Sequence, residues 1–184
     1  EVVHGKCSHN NKMPGTCEEK FAGVRPFLGY MMAHPGKKLS FMGYEFGQFN
    51  EWDYHKQHDF FLADEYEMHR KLQGYVKALN EFYASTPAFF EVEDSWEGFE
   101  WLAANDADKN IVSFIRRDRK GNEIIALISF SGADNPGYWM GVNQRGKYRI
   151  IFNSDDKKYG GDGKLKKSVF TAAKKPSHGK MYSV

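Results

Sequence analysis

Four side chains that could do chemistry follow a short apolar run at residues 39–43: Glu45, Gln48, Glu51 and Trp52. The run mixes large apolar residues with small ones, which is typical of a strand covered on both faces in a parallel sheet. The loop after such a strand lies on the face where α/β barrels carry out their chemistry. Glu45 and Glu51 could form a carboxylate pair for hydrolysis, but their spacing does not show that they converge, so we predict no catalytic role for either. A buried strand followed by an inert polar loop is the alternative interpretation.

A second group of potentially reactive side chains follows in the same stretch. It contains two histidines and two aspartates, His55, His58, Asp53 and Asp59. Imidazole and carboxylate groups one helical turn apart could hold a metal ion, but a site needs a further anchored ligand. The surrounding pattern predicts no helix and supplies no such ligand. We therefore predict solvent-exposed loop residues here and no metal site.

Two predicted helices flank these loops and would position them. Thr16 and Glu19 have the spacing of a capping box, and apolar residues behind them recur at helical period, which predicts a helix over Cys17–Ala33. A second apolar stripe predicts a helix over residues 65–84. Residues 49–64 between the apolar run and this second helix form a long loop rich in aromatic residues. Such a loop is more often functional than idle.

After residue 86 the pattern changes to short apolar runs separated by turns. Six runs predict strands, at residues 99–103, 112–116, 124–130, 138–142, 148–152 and 169–172. Short strands with Gly, Pro and Asn turns between them are typical of an antiparallel β-sandwich. We therefore predict an α/β part over residues 1–86 and an all-β domain over residues 87–184. Two strand–helix units cannot bury both faces of a parallel sheet, so the first part needs partners.

Composition argues against several classes of function. The 184 residues include 26 basic and 24 acidic ones, and a net charge of +2 creates no field that would attract nucleic acid or a membrane surface. The lysine-rich segments at 164–167 and 174–175 fit strand edges that resist further pairing. No apolar run reaches the length of a membrane span. Cys7 and Cys17 are predicted to be free thiols, which favours a reducing, cytoplasmic compartment.

Ordered blocks along the chain resemble the 1,4-α-glucan (glycogen) branching enzymes of the α-amylase superfamily. In the first part the blocks are EVVHGK (1–6), NKMPG (11–15), KFAG (20–23), YMMAHPGKKL (30–39) and FMGYEFGQFNEW (41–52). In the second part, FEWL with NDAD (99–108) and FNSD with GGDG (152–163) resemble that family's C-terminal β-domain. Pro26 and Tyr44 depart from the family pattern, which affects the expected local geometry.

The resemblance implies a fold and a reaction. Residues 1–86 would be the last two βα units of a TIM (β/α)8 barrel, and residues 87–184 would be an antiparallel β-sandwich clipped before its last strand. The family cleaves an α-1,4-glucan by a retaining double displacement and transfers the segment to a 6-hydroxyl, which creates an α-1,6 branch. The family's reaction needs no cofactor. The catalytic Asp would directly precede Glu1, so no catalytic residue is expected in this chain, and the 184-residue piece alone should be inactive.

The resemblance also implies which residues contact the α-glucan substrate. Substrate-binding roles fall on Glu1, His4, Lys6, Glu45, Gln48 and Trp52. The structural alternatives are a polar strand end for the first three and a loop packed onto the barrel for the others. Two other functions stay open: an amylase-type hydrolase of the same superfamily, and a non-catalytic glucan-binding β-module that uses Trp96, Trp101 and Trp139. No nucleic-acid or membrane partner is expected, and the oligomeric state is left open.

Overall fold

A computed structural model describes residues 3–184, which form two compact units. The first unit comprises the chain up to Met32 with Lys37–Ser85 and Ser154–Lys164, and the second comprises Ala33–Gly36, Thr86–Asn153 and Leu165–Val184. Ser154–Lys164, which the sequence analysis assigns to the β-domain, therefore belongs to the first unit. The division at residue 86 into two domains stays a prediction. Within residues 3–184, no helix is both long and apolar enough to cross a bilayer.

Four α-helices of the described chain lie in the first unit, apart from Ala33 at the end of α2, which belongs to the second: α1 (His9–Lys12), α2 (Cys17–Ala33), α3 (Phe61–Glu65) and α4 (Glu67–Ser85). The bounds predicted for α2 are confirmed, and α4 begins two residues later and ends one residue later than predicted. The helical spacing of apolar residues was sufficient to find both long helices. The short helix α3 begins within the loop predicted at residues 49–64, and α1 was not predicted.

A capping box begins α2, as predicted. The Thr16 N–H donates to the Glu19 carboxylate at 2.7 Å, and the Glu19 N–H donates to the Thr16 hydroxyl at 3.3 Å. Pro26 lies inside the helix without dividing it. Because a proline removes one backbone donor, this helix depends on tertiary packing more than on its own hydrogen bonds.

The core of the first unit lies between α2 and α4. Its fully or nearly fully buried apolar side chains are Phe21, Val24, Leu28, Phe46, Leu72, Tyr75 and Leu79. The Tyr75 hydroxyl donates to the Arg25 carbonyl at 2.8 Å, and burial raises the pKa of this phenol. The Tyr75 ring also meets the buried Tyr159 ring edge-on at 5.3 Å, which explains how Ser154–Lys164 joins this core.

A buried cation lies beside the same segment. Arg25 is only 5% exposed, and burial lowers the pKa of its guanidinium. The carboxylates of Asp155 and Asp162 oppose this shift because they favour the charged form. The acidic loop therefore supplies counter-charge as well as an aromatic contact.

The strand predicted at residues 39–43 is wrong. These residues form a loop that leads into a 3₁₀ turn at Tyr44–Phe46, and Leu39 and Met42 are 74% and 52% exposed. A strand needs a paired neighbour, and the structure contains no strand between residues 3 and 85. Residues 3–6, predicted as a strand end, form bends in which His4 has a left-handed φ of 59°. An apolar pattern that is typical of a strand therefore does not form one here, because no neighbouring strand in the described chain pairs with it.

The second unit is all-β and antiparallel, as predicted. Strands β1 (Phe99–Asp106), β2 (Ile111–Arg117) and β3 (Glu123–Ser129) form one sheet in that order. Two smaller pairs join β4 (Gly141–Val142) to β7 (Tyr182–Ser183) and β5 (Lys147–Arg149) to β6 (Val169–Thr171). All six predicted runs contain a strand, although three of the strands are short, and β7 was missed because two residues leave little periodicity to read.

A fully buried arginine organises the second unit. The guanidinium of Arg116 in β2 donates to three backbone carbonyls, those of Ala33 at 2.7 Å, Phe89 at 3.0 Å and Gly98 at 3.2 Å. Ala33 ends α2 and Phe89 ends a 3₁₀ turn, so two of these acceptors are helix-terminal carbonyls that lack helical partners. One planar cation thus satisfies three backbone groups that would otherwise be costly to bury.

Replacing Arg116 should destabilise the second unit strongly. In Arg116→Met the three carbonyls lose their donor, and at about 1–3 kcal/mol for each unsatisfied buried group we expect a loss of at least about 3 kcal/mol in the free energy of unfolding. Urea denaturation followed by circular dichroism measures this loss. The matched control is Arg149→Met on the exposed edge strand β5, which should change stability by less than about 0.5 kcal/mol. Equal stability of the two variants would contradict the role given to Arg116.

Candidate binding site

The first unit contains a pocket of about 380 Å³, a volume that includes its open mouth. It lies between α1, α2 and the loop at residues 41–52. Its polar and aromatic lining includes Ser8, His9, Asn10, Phe41, Tyr44, Gln48, Asn50 and Trp52. A concave surface that combines aromatic rings with a few polar groups is the usual form of a small-ligand site.

The structure brings together only some of the predicted site residues. Gln48 and Trp52 line the pocket, whereas His4, Lys6 and Glu45 are not among its lining residues. His4 and Lys6 are exposed, and Glu45 is half-buried in the 3₁₀ turn. The prediction for Glu1 lies outside the described residues.

Gln48 orders the loop in which it lies. Its side chain is 6% exposed, its amide group donates to the Asn50 carbonyl at 3.2 Å, and its amide oxygen accepts from the Asp59 N–H at 3.2 Å. Asp59 in turn accepts from the Asn50 side chain at 2.8 Å. These bonds connect both ends of the aromatic loop and fix the floor of the pocket beside Trp52.

Trp52 is half-buried and supplies the largest ring of the pocket lining. It meets Phe41 edge-on, with ring centroids 5.7 Å apart, and lies 6.5 Å from the Tyr54 ring. An indole held by neighbouring rings offers an apolar face and one N–H donor at low entropic cost. This combination suits a flat ligand that bears hydroxyl groups.

Polar side chains of α1 and of its N-cap residue, Ser8, form hydrogen bonds to the loop at residues 41–52 that lines the pocket. The Asn10 side chain, 2% exposed, donates to the Gly47 carbonyl at 3.0 Å, and the Ser8 hydroxyl donates to the Phe49 carbonyl at 2.8 Å. On the other side of the loop, His69 of α4 bonds the carbonyl of the fully buried Phe46 at 2.7 Å. Because a carbonyl oxygen accepts, Nδ1 of His69 donates in this bond, and burial lowers the pKa of the imidazole.

Glu51 fastens the same loop to the residues that precede α1. One carboxylate oxygen accepts from the Gly5 N–H at 2.8 Å, and the other accepts from the Cys7 N–H at 2.9 Å. Each oxygen of this carboxylate therefore holds one backbone N–H, and the absence of a catalytic role for Glu51 stays a prediction. Cys7 and Cys17 are both free and exposed, as predicted.

His9 is a pocket residue that the sequence analysis missed. Its ring stacks on Phe27 at 5.3 Å and contacts the Tyr44 hydroxyl through Nε2, while the buried Nδ1 has no hydrogen-bond partner in the described chain. Burial, with a smaller contribution from the positive charge of Lys12, lowers the pKa of His9 to about 4. The sequence feature that could have revealed α1, and with it His9, is Ser8. A serine is a favoured N-cap residue, and the Ser8 side chain accepts from the N–H of Asn11.

The second group of reactive side chains serves local structure. Asp53 pairs with Lys56 at 3.2 Å and accepts from the His55 N–H at 2.9 Å. Among residues 3–184, no cluster of three or more His, Cys, Asp or Glu side chains is arranged to hold a metal ion.

Two of the tryptophans that could form a platform in the second unit are engaged by neighbouring side chains. Trp101 packs edge-on against Phe99 and Phe114 at 5.0 and 5.5 Å, and the ammonium group of Lys175 lies 3.9 Å above the Trp139 ring. Trp96 is 80% exposed. Because Trp101 packs on neighbouring rings and a cation covers one face of Trp139, the pocket in the first unit is the better candidate site.

Comparison with known proteins found similarity along the whole chain. Residues 101–184 match the family described as alpha amylase, C-terminal all-beta domain. The whole chain is similar to the 1,4-alpha-glucan branching enzymes GlgB of Aquifex aeolicus, Bacillus caldolyticus and Halothermothrix orenii, at 46%, 44% and 42% identity. The chain spans about 29% of the length of these relatives. The resemblance to branching enzymes seen in the sequence is confirmed.

His9 should make the first unit sensitive to acid. Because its folded pKa of about 4 lies below the unfolded value of 6.5, the unfolded chain binds more protons between these pH values, and the unfolding free energy falls as pH falls from 6.5 towards 4. His9→Gln, which cannot take up a proton, should reduce this slope. Thermal unfolding from pH 7 to pH 4 measures the difference. His55→Gln in the exposed loop is the control, and identical slopes for all three proteins would contradict the account of His9.

Proposed function

We infer that this chain is the C-terminal portion of a 1,4-α-glucan branching enzyme of the α-amylase superfamily. The observation that carries this proposal is that its similarity to branching enzymes extends over both units rather than over the β-domain alone. We propose that the pocket of the first unit forms one wall of the cleft that binds the α-glucan. Gln48 and Trp52 would contact the sugar there, and His4, Lys6 and Glu45 would extend the contact beyond the pocket.

The proposed reaction cleaves an α-1,4 link and makes an α-1,6 link. An Asp attacks the anomeric carbon while a Glu protonates the departing oxygen, and the covalent glycosyl-enzyme is then captured by a 6-hydroxyl, whose proton returns to the Glu. We place these acid groups outside residues 3–184. In support, Glu51 uses both carboxylate oxygens on the backbone, and Glu45 is not among the residues that line the pocket.

We propose further that residues 1–86 are the last two βα units of a (β/α)8 barrel. The helices α2 and α4 would be the barrel helices, and the rest of the barrel would cover the apolar residues of the loop at 39–43. The exposure of Leu39 and Met42 supports this, because a barrel would bury both side chains. The cytoplasmic location favoured by two free thiols stays a prediction.

An amylase-type hydrolase is the second candidate, because it would share the superfamily, the β-domain and the pocket. The two reactions differ only in the acceptor, which is water in hydrolysis and a 6-hydroxyl in branching. The test incubates the full-length protein with amylose and measures released reducing ends against new α-1,6 links after debranching. We expect many new branches with few reducing ends. Reducing ends without branches would favour the hydrolase.

Whether the catalytic acid groups lie outside this chain can be tested by comparing the isolated chain with the full-length protein. The isolated 184-residue chain should show no turnover in an iodine-colour assay with amylose, whereas the full-length protein should be active. Turnover by the isolated chain would contradict the placement of the acid groups outside it. A third candidate, a glucan-binding β-module, predicts that the 184-residue chain is retarded in a glycogen gel through the aromatic residues of its β-domain.

Trp52 should be a major glucan contact. In the full-length protein, Trp52→Ala should weaken binding of a linear maltooligosaccharide about tenfold, since loss of aromatic stacking costs about 0.5–1.5 kcal/mol before the lost burial is added. Trp52→Phe keeps an aromatic face and should lose less. Isothermal titration calorimetry measures both affinities, with Trp96→Ala, an exposed indole of the second unit, as the control. Wild-type affinity in Trp52→Ala would remove this residue from the site.

A further inference from the structure

A single carboxylate holds an unusual turn before α1. The two oxygens of Glu51 accept from the N–H groups of Gly5 and Cys7, which lie more than forty residues away in sequence. Between these donors lies Lys6, and before them lies His4. Both residues are exposed and both belong to the proposed glucan-binding set.

The backbone conformation of this turn is unfavourable unless other groups stabilise it. His4, Gly5 and Cys7 have φ values of 59°, 76° and 63°, in the left-handed region. For a residue other than glycine this conformation is unfavourable, because Cβ lies close to the following carbonyl oxygen, and this holds for both His4 and Cys7. In this turn the N–H groups of Gly5 and Cys7 point at one carboxylate, and backbone N–H groups that converge in a turn form an anion-binding concavity. The anion bound in this structure is Glu51.

We propose that Glu51 is a positioning residue, which fixes the turn at residues 4–7 and thereby sets the directions of the His4 and Lys6 side chains towards the glucan. This inference rests on the proposed function for its ligand. In this role Glu51 acts through the backbone that it holds, since each of its oxygens accepts one backbone N–H. Charge-assisted bonds of this kind are about twice as strong as neutral ones. They can therefore offset the unfavourable left-handed backbone conformation of the turn.

Glu51→Gln separates this role from a general effect on folding. The glutamine has the same size, but its NH₂ group faces one of the two backbone donors, so one bond is lost and the turn is released. If His4 and Lys6 bind substrate equally in the ground and transition states, their misplacement raises KM and leaves kcat unchanged. A merely structural defect would reduce the amount of active enzyme, lowering apparent kcat at constant KM.

The experiment uses the full-length protein with a linear maltooligosaccharide. We expect Glu51→Gln to raise KM about tenfold with kcat within about twofold, which is the size of one lost charge-assisted bond. Glu51→Asp, which keeps the charge, should raise KM less. The matched control is Glu91→Gln, since Glu91 is also half-buried and also accepts one distant backbone N–H, that of Arg119, at 3.1 Å in the second unit. It should leave KM at the wild-type value.

A second readout does not depend on the reaction. Hydrogen–deuterium exchange of the peptide at residues 3–8 should become faster in Glu51→Gln, because the Gly5 and Cys7 amides lose their acceptor, and should be unchanged in Glu91→Gln. Unchanged exchange, or a fall in kcat at constant KM, would overturn the proposal. If the wild-type protein makes no branches, the proposed function fails, and retardation in a glycogen gel then replaces KM as the measure of the Glu51 effect.

Discussion

Residues 5–10 and 47–51 are held together by hydrogen bonds from polar side chains to the backbone, and the geometry of the pocket depends on this arrangement. Asn10 bonds Gly47, Ser8 bonds Phe49, and Glu51 bonds the backbone that precedes Ser8. The contacts run in opposite directions along the two segments, as in an antiparallel ladder. Because neither segment is a strand, side chains perform the task that backbone pairs perform in a sheet.

This arrangement has a functional consequence. A pocket built from loops is usually adaptable, but here the loop is held from two sides, by Asn10 of α1 and by His69 of α4. The ring of Trp52 therefore lies on a fixed support beside the buried Gln48. Side chains that are locked by hydrogen bonds and packing lose little entropy when a ligand binds, which favours recognition of a weakly contacting, hydroxyl-rich chain.

The sequence was sufficient to predict features that depend on local pattern. The capping box and apolar period located α2 to the residue, and turn residues between apolar runs located the antiparallel strands. It was not sufficient for features that depend on distant partners. Residues 39–43 have the composition of a strand, but composition cannot supply the neighbour that a strand requires.

The same reason explains the missed polar residues. Asn10 and His9 look like ordinary turn residues, and Arg116 looks like a strand-surface cation until its three carbonyl acceptors are known. Their roles depend on burial, which periodicity does not reveal for isolated polar residues. The resemblance to branching enzymes predicts which segments would share a site, but not the side chains that hold those segments together.

The most direct test of this account is a crystal structure of the full-length protein bound to a linear α-1,4-glucan oligomer. We predict a glucose ring stacked on Trp52, with the Glu51 carboxylate still within hydrogen-bond distance of the Gly5 and Cys7 amides and free of sugar contacts. A glucan bound away from Trp52, or a Glu51 carboxylate bonded to the sugar instead of to the backbone, would contradict it.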